Sequence, residues 1–269
     1  MKVVDLTPEY EELYMLCLED WSDEAREGQD LRAHWYARVK DHGLRVKLAL
    51  DERGNPGGMI QYLPIERSFA EGRDLYLILC IWVHGHPQGR GNFQGKGMGT
   101  ALLQAAEDDV RALGAKGIAA WGVVLPVWMK ASWFRKHGYR KADRVGMAAL
   151  VWKPFTEDAE PPRLMRPGKK PGRSASGVTV TAFNQGWCMA QNIACERAHR
   201  ACTHLGDEVT FRRIDTNDPD VRREWGQADA LFVEDREIWT GPPPSEEKLR
   251  RAIGRAVTRA QRRVHSRWW

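Results

Sequence analysis

The run Gln94-Gly95-Lys96-Gly97-Met98-Gly99 constrains this chain more than any other stretch. It passes without a break into Thr100-Ala101-Leu102-Leu103-Gln104-Ala105-Ala106, an amphipathic helical pattern, and it follows the apolar run Leu75 to Val83. Strand, glycine turn and helix in that order make a cradle for phosphate. The first amides of a helix have no internal partners, and the helix dipole favours an anion there. Glycine lets the backbone approach that anion closely and take a positive φ. The run is not a P-loop, because Gly97-Met98-Gly99-Thr100 keeps the lysine away from the hydroxyl. It also follows several antiparallel-type strands rather than the first strand, which argues against a dinucleotide-binding βαβ unit.

A chain of 269 residues is long enough for two domains. No apolar stretch reaches the length of a membrane span, and Met1-Lys2-Val3-Val4-Asp5 lacks the regions of a signal peptide. Cys17, Cys80, Cys188, Cys195 and Cys202 form no paired framework, which points to a reducing cytoplasm. The net charge of +5 is concentrated between Arg163 and Arg173 and in the tail from Arg250 to Arg267. These read as a solvated linker and a solvated helix face rather than as a nucleic-acid surface.

The hydrophobic patterning predicts an edge strand at Val3 to Leu6, a helix from Thr7-Pro8-Glu9 with Thr7 as N-cap, and a helix over Asp30 to Asp41. A hairpin follows, Arg45 to Asp51 with Gly58 to Ile65, then the central strand Leu75 to Val83. Beyond the glycine turn come a helix from Met98 to Leu113, a buried strand Gly117 to Val124, a helix Val127 to His137, and strands Arg140 to Val145 and Ala148 to Trp152. The fold class is α/β: a mixed sheet with helices on both faces. Pro154 to Ser176 is dense in Pro and Gly and reads as a linker. The β-α-β-α-β-β-α order that follows resembles a thioredoxin-like fold. The expected boundaries are 1–155, a linker over 156–177, and a second domain over 178–269.

Residues 1 to about 155 resemble the GNAT acyltransferase superfamily. Gln94-Gly95-Lys96-Gly97-Met98-Gly99 looks like its Gln/Arg-x-x-Gly-x-Gly/Ala signature, preceded by Leu79-Cys80-Ile81-Trp82-Val83. Trp133-Phe134-Arg135-Lys136-His137-Gly138-Tyr139 looks like its later aromatic helix end. With the linker, Phe183-Asn184-Gln185-Gly186-Trp187-Cys188 and Gly241-Pro242-Pro243-Pro244-Ser245, the whole chain resembles the YoaP-like group of acetyltransferases. The resemblance implies acetyl-CoA as donor and an N-acetyltransferase that moves its acetyl group directly to a small-molecule amine in a ternary complex. It implies that Gln94, Gly95, Lys96, Gly97, Met98, Gly99 and Thr100 hold the pyrophosphate and that Trp82 and Val83 pair with the pantetheine arm. The strands before the turn splay apart in that family, opening the slot for this arm. Phe134 stands where the family often has a tyrosine that protonates the departing thiolate, so here the thiolate leaves unassisted or Ser132 or Tyr139 serves instead.

Alternation along the central strand places Tyr76, Ile78, Cys80, Trp82 and His84 on one face. His84, near the strand end, is a candidate general base, and Glu66 at the end of the preceding strand is another. Cys188 occupies the first-cysteine position of a thioredoxin Trp-Cys-x-x-Cys, with Gln191 in place of the second. It reads as packing, a recognition group or a reactive monothiol. Cys195 and Cys202 read as core residues, and the cysteine spacing fits no common zinc pattern, so no metal is expected. Two alternatives to the enzyme are a CoA-binding sensor without turnover and a redox protein using Cys188. The acceptor and the oligomeric state leave no trace in the sequence.

Overall fold

A computed structural model describes residues 1–124, 129–239 and 241–265. The chain divides into two compact units. One comprises Met1–Ala25 with Tyr36–Arg166, and the other Arg26–Trp35 with Pro167–Trp269. The segment 26–35, expected in the first domain, therefore clusters with the second unit. None of the described helices is long and apolar enough to cross a membrane.

The first unit is a mixed sheet of seven strands: β1 (Lys2–Asp5), β2 (Arg45–Leu50), β3 (Pro56–Pro64), β5 (Leu75–Val83), β6 (Gly117–Val123), β8 (Ala148–Pro154) and β7 (Arg140–Val145), in that spatial order. Only β5 and β6 are parallel, joined by the crossover helix α4 (Met98–Ala112). The short strand β4 (Ala70–Glu71) pairs with β9 (Arg163–Leu164), so the stretch expected as structureless linker contributes a strand. Before β2 the chain makes α1 (Glu11–Met15), α2 (Asp23–Glu27) and α3 (Gln29–Val39), and α3 is divided between the two units. Thr7 makes no side-chain cap; its hydroxyl instead donates to Glu9 at 3.2 Å. The described helix before β7 is α5 (Ala131–Lys136). The expected start at Val127 lies outside the described residues.

Helix α4 buries Met98, Leu102, Leu103, Ala106 and Val110 against Ile60, Tyr62, Ile78, Ile118 and Ala120 of the sheet. That is the apolar spacing of an amphipathic helix. A polar clamp supplements the packing. Asp109 of α4 accepts two hydrogen bonds from Arg45 (2.9 and 2.6 Å) and one from the Tyr62 hydroxyl (2.6 Å). Burial pushes the Asp109 carboxyl up, but the Arg45 and Tyr62 hydrogen bonds, with Lys47 nearby, outweigh it and leave the group below the usual aspartate range.

The second unit carries a four-stranded sheet, β11 (Val209–Asp215), β10 (Val178–Asn184), β12 (Ala230–Val233), β13 (Arg236–Trp239) in spatial order. β10 and β11 are parallel and the other pairs antiparallel. Helices α6 (Met189–Leu205) and α8 (Glu246–His265) pack Cys195, Ala198, Cys202, Leu249 and Ile253 onto one face. The short α7 (Pro219–Trp225) sets Trp225 against Phe183 and Phe232 on the other. Asp218 caps α7 in full, accepting from Asp220 and Val221 amides.

Asp109→Ala removes the clamp's shared acceptor, leaving the buried Tyr62 hydroxyl unpartnered and the Arg45 guanidinium, itself over one-third exposed, to water. It is expected to lower unfolding free energy in urea by about 1–3 kcal/mol. Because the folded pKa is depressed, the wild-type advantage is present above about pH 4 and is lost as pH falls through the folded value. The gap between wild type and variant therefore closes in acid.

Candidate functional site

The site begins with a defect in β5. Gln61 pairs with Cys80 but the next residue, Tyr62, pairs with Ile78, so Leu79 is an extra residue, a β-bulge. The bulge shifts the alternation by one. Tyr76 and Ile78 share the α4 face with Ile81 and Val83, while Cys80, Trp82 and His84 fall on the opposite face. The single five-residue face expected from strict alternation is thus split in two.

The bulge coincides with a parting of strands. β5 and β6 are paired only from Leu75/Gly117 to Ile78/Ala120. At the parting, the Trp121 indole N–H donates to the Leu79 carbonyl (2.8 Å), satisfying an acceptor that the ladder abandons. Further along, the Val123 amide of β6 donates to Met129 O (2.8 Å), and Val123 bridges Lys130. Gly122 is required here, because a Cβ would lie 2.5 Å from Met129 O. The chain entering α5 therefore covers β6 while the end of β5 remains open.

The open end of β5 faces a cleft of about 780 Å³. Its walls include Ile81, Trp82 and Val83 of β5, the turn residues Gln94, Gly95 and Gly97 with Met98, Gly99 and Thr100 of α4, and Lys130, Trp133 and Phe134. Gly95 (φ 75°) and Gly97 (φ 82°) hold left-handed conformations. Gly97 is the N-cap of α4 and supplies no side-chain acceptor, and the first turn of α4 carries no acid. Among the described residues, the leading amides of α4 thus face the cleft without a protein anion. Among the described lining residues the one ionisable side chain is Lys130, which is exposed.

Supporting contacts fix this mouth. The Gln94 backbone amide donates to Asn92 Oδ1 (2.9 Å), and its side-chain amide donates to Val83 O (3.4 Å). His137 Nδ1 lies 2.9 Å from Trp133 O, which only accepts, so Nε2 takes the hydrogen bond from the Thr100 hydroxyl (3.2 Å). Phe134 is buried and packs edge-on to Trp133 and Tyr139.

The cleft thus gathers Trp82, Val83, Gln94, Gly95, Gly97, Met98, Gly99, Thr100 and Phe134, all singled out from the sequence. Lys96 stands apart, exposed, with Nζ 5.2 Å from the Phe93 ring. The candidate bases do not line the cleft. His84 is fully buried; its Nδ1 donates to Gly91 O (2.7 Å) and its Nε2 accepts from the Trp21 indole (3.2 Å), which leaves no lone pair to receive a proton. Glu66 is exposed and accepts from the Asp74 amide. It lies beyond Pro64, which pairs with Tyr76 at the far end of β5, about 20 Å from Val83 at strand rise. Ser132 and Tyr139 line a separate basic depression with Arg135, Lys136, Arg140 and Lys141, so neither replaces the missing hydroxyl at Phe134. Lys130 and Met129 had no local signature, since only the parting of the strands brings them to the cleft.

In the second unit Cys188 is buried at the N-cap of α6, its carbonyl accepting from the Asn192 amide (3.0 Å). Burial pushes the Cys195 and Cys202 thiols up to about 12, in keeping with core packing. Asp229, before β12, accepts from the Gln185 amide (2.9 Å). The residue keeps some exposure but its carboxyl is enclosed, and burial pushes it up to about 7.

Residues 7–139 match the model of the Acetyltransferase (GNAT) family. Comparison with curated proteins gives no match. Among solved structures, a GNAT family acetyltransferase from Brucella melitensis in complex with acetyl-CoA is 15% identical, with a TM-score of 0.41, over 59% of this chain and 90% of that one. The PaiA N-acetyltransferase of Thermoplasma acidophilum in complex with coenzyme A is 16% identical, TM-score 0.43, over 58% and 100%. The N-acetyltransferase YhbS of Escherichia coli in complex with CoA is 13% identical, TM-score 0.43, over 61% and 88%.

The enclosed Asp229 carboxyl has a folded pKa above its unfolded one, so it favours the folded state at low pH and this advantage is lost as pH rises from about 4 to about 7. Asp229→Asn keeps an oxygen for the Gln185 amide and removes the charge. Urea titrations at pH 8 are expected to show the variant more stable by up to about 4 kcal/mol, and at pH 4 nearly equal to wild type.

Proposed function

We propose that this chain, which carries a GNAT acetyltransferase domain over residues 7–139, is an acetyl-CoA-dependent N-acetyltransferase acting on a small-molecule amine by direct transfer in a ternary complex. The observation that carries the reading is the cleft at the parting of β5 and β6, with the glycine turn and bare amides of α4 at its mouth. These features fit the donor. The amides of residues 95 to 100 would hold the pyrophosphate, with Lys130 adding charge. The open edge of β5 at Ile81 to Val83 would hydrogen-bond the pantetheine amides as a strand would. When bound, acetyl-CoA supplies an activated acyl group as a thioester. A backbone amide near Val83 is the group placed to stabilise the oxyanion. Phe134 packs the cleft wall and gives no proton, so the leaving thiolate departs unassisted, as thiols of pKa near 8.5 do.

The proposed domain division is an acetyltransferase domain over 1–155, a linker over 156–177 and a thioredoxin-like, YoaP-like domain over 178–269. The parallel β10–β11 pair flanked by antiparallel β12 and β13 supports the thioredoxin-like reading. The positions of His84 and Glu66 disfavour both as the base. Cys188 belongs to the second unit, and the absence of a partner cysteine at Gln191 disfavours dithiol chemistry.

Calorimetry with CoA and thiol release from acetyl-CoA over an amine panel test the reading. Gly97→Trp, which places a bulky side chain at a left-handed N-cap in the cleft, is expected to weaken CoA binding at least about 100-fold. Cys188→Ser is expected to leave binding and turnover within about twofold. Loss of activity in Cys188→Ser with none in Gly97→Trp would instead support the redox reading.

A further inference from the structure

Helix α8 segregates the charge of the chain. It holds seven Lys and Arg side chains against two acids, a net +5 that equals the net charge of all 269 residues. The rest of the chain is therefore neutral in sum. The sequence reads this run as a solvated face, and the fold adds where the cations stand. Leu249, Ile253, Ala256 and Val257 are buried in the core of the second unit, so the inner face of α8 is already used. At the helical repeat the opposite face carries Lys248, Arg251, Arg255, Arg259 and Arg262, all exposed. Steps of three or four residues set them about 4.5–6 Å apart along a line of about 21 Å.

The two acids of α8 sit at its N-terminal end. Glu246 accepts from Arg200 of α6 (2.8 Å) and lies 3.0 Å from His204 Nδ1, and Glu247 pairs with Arg251 one turn on. Among the described residues, the side chains of Lys248, Arg255, Arg259 and Arg262 make no hydrogen bond or ion pair. Like charges one turn apart repel, and the helix dipole relieves only those in the last turn. Four of the five cations on the line are arginines, whose planar forks hold phosphate oxygens two at a time. Ala252, Gly254 and Thr258 flank the line, and among the described residues of α8 there is no aromatic side chain, so unpaired bases would find nothing there to stack on. The apolar face is committed to the core and is not free to enter a membrane interface. What α8 offers is a convex ridge lined with arginine. The major groove of B-form DNA admits such a ridge, whereas that of an A-form RNA duplex is too narrow.

We propose that the exposed face of α8 is a docking surface for double-stranded DNA, holding backbone phosphates through Lys248, Arg251, Arg255, Arg259 and Arg262. Phosphate contacts position a duplex and carry no sequence information, so the binding is independent of base sequence. The surface lies wholly in the second unit and does not depend on the acetyltransferase reading.

The full chain is titrated into a fluorescein-labelled DNA duplex of about 20 base pairs, and anisotropy is read between about 50 and 200 mM salt. Binding is expected to weaken with salt at a log–log slope of about −3 to −5. Arg255→Ala/Arg259→Ala keeps a good helix former at both exposed positions. It is expected to raise the dissociation constant at least about tenfold and to flatten the slope by about 2. Arg53→Ala/Lys170→Ala removes the same charge from exposed positions outside α8 and should leave the dissociation constant within about twofold. Undiminished affinity in the α8 variant, or an equal loss in the two double variants, overturns the proposal. So does binding to duplex RNA, single-stranded DNA or polyglutamate as tight as to duplex DNA, or no salt-dependent binding to the duplex at all.

Discussion

One inserted residue, Leu79, governs the geometry of the first unit's cleft. A regular β5 would continue its parallel ladder with β6 to the end of both strands, and the sheet would close. The bulge bends β5 away after Ile78, and the ladder ends there. Parting two strands strands backbone donors and acceptors, which is costly unless each finds a partner. Trp121 supplies one for Leu79, and Met129 supplies one for Val123. Among the described residues, what stays unpartnered is the edge of β5 at the mouth and the first turn of α4. Both offer amide groups, and both converge on the same cleft. The defect therefore opens a cleft whose described lining offers backbone amides, two left-handed glycines and one lysine.

The same bulge sorts the side chains. By moving Ile81 and Val83 to the α4 face it completes the apolar core beneath the glycine turn. By moving Trp82 and His84 to the other face it aligns them with the α1–α2 connection, where His84 becomes a structural hinge pin between Gly91 and Trp21.

The glycine turn and its helix are legible in the sequence. Glycines at 95 and 97 are informative because a left-handed turn before a helix demands them, and the apolar run before them marks the strand. The pairing of that turn with Trp133 and Phe134 also reads directly, since both motifs are local. The placement of side chains along β5 departs from strict alternation for a definite reason. Counting side chains by twos along β5 assumes an unbroken ladder, and a bulge leaves no mark in the residue pattern of Leu77-Ile78-Leu79-Cys80. His84 looked available because nothing nearby in sequence announces Trp21 as its partner. Glu66 looked close because it ends the neighbouring strand, yet antiparallel pairing puts that end at Tyr76, far from Val83. Lys130 gives no signal in the sequence because long-range packing alone brings it to the cleft. The strand at Arg163–Leu164 was hidden by the Pro- and Gly-rich composition around it.

A crystal structure of the full chain grown with CoA shows whether the parting of β5 and β6 is a slot for the donor. The pyrophosphate is expected on the amides of residues 95 to 100 and the pantetheine arm along Ile81 to Val83, with Trp121 still bonded to Leu79. CoA bound elsewhere on the molecule, or β5 and β6 paired through Val83 and Val123 with the slot closed, would contradict it.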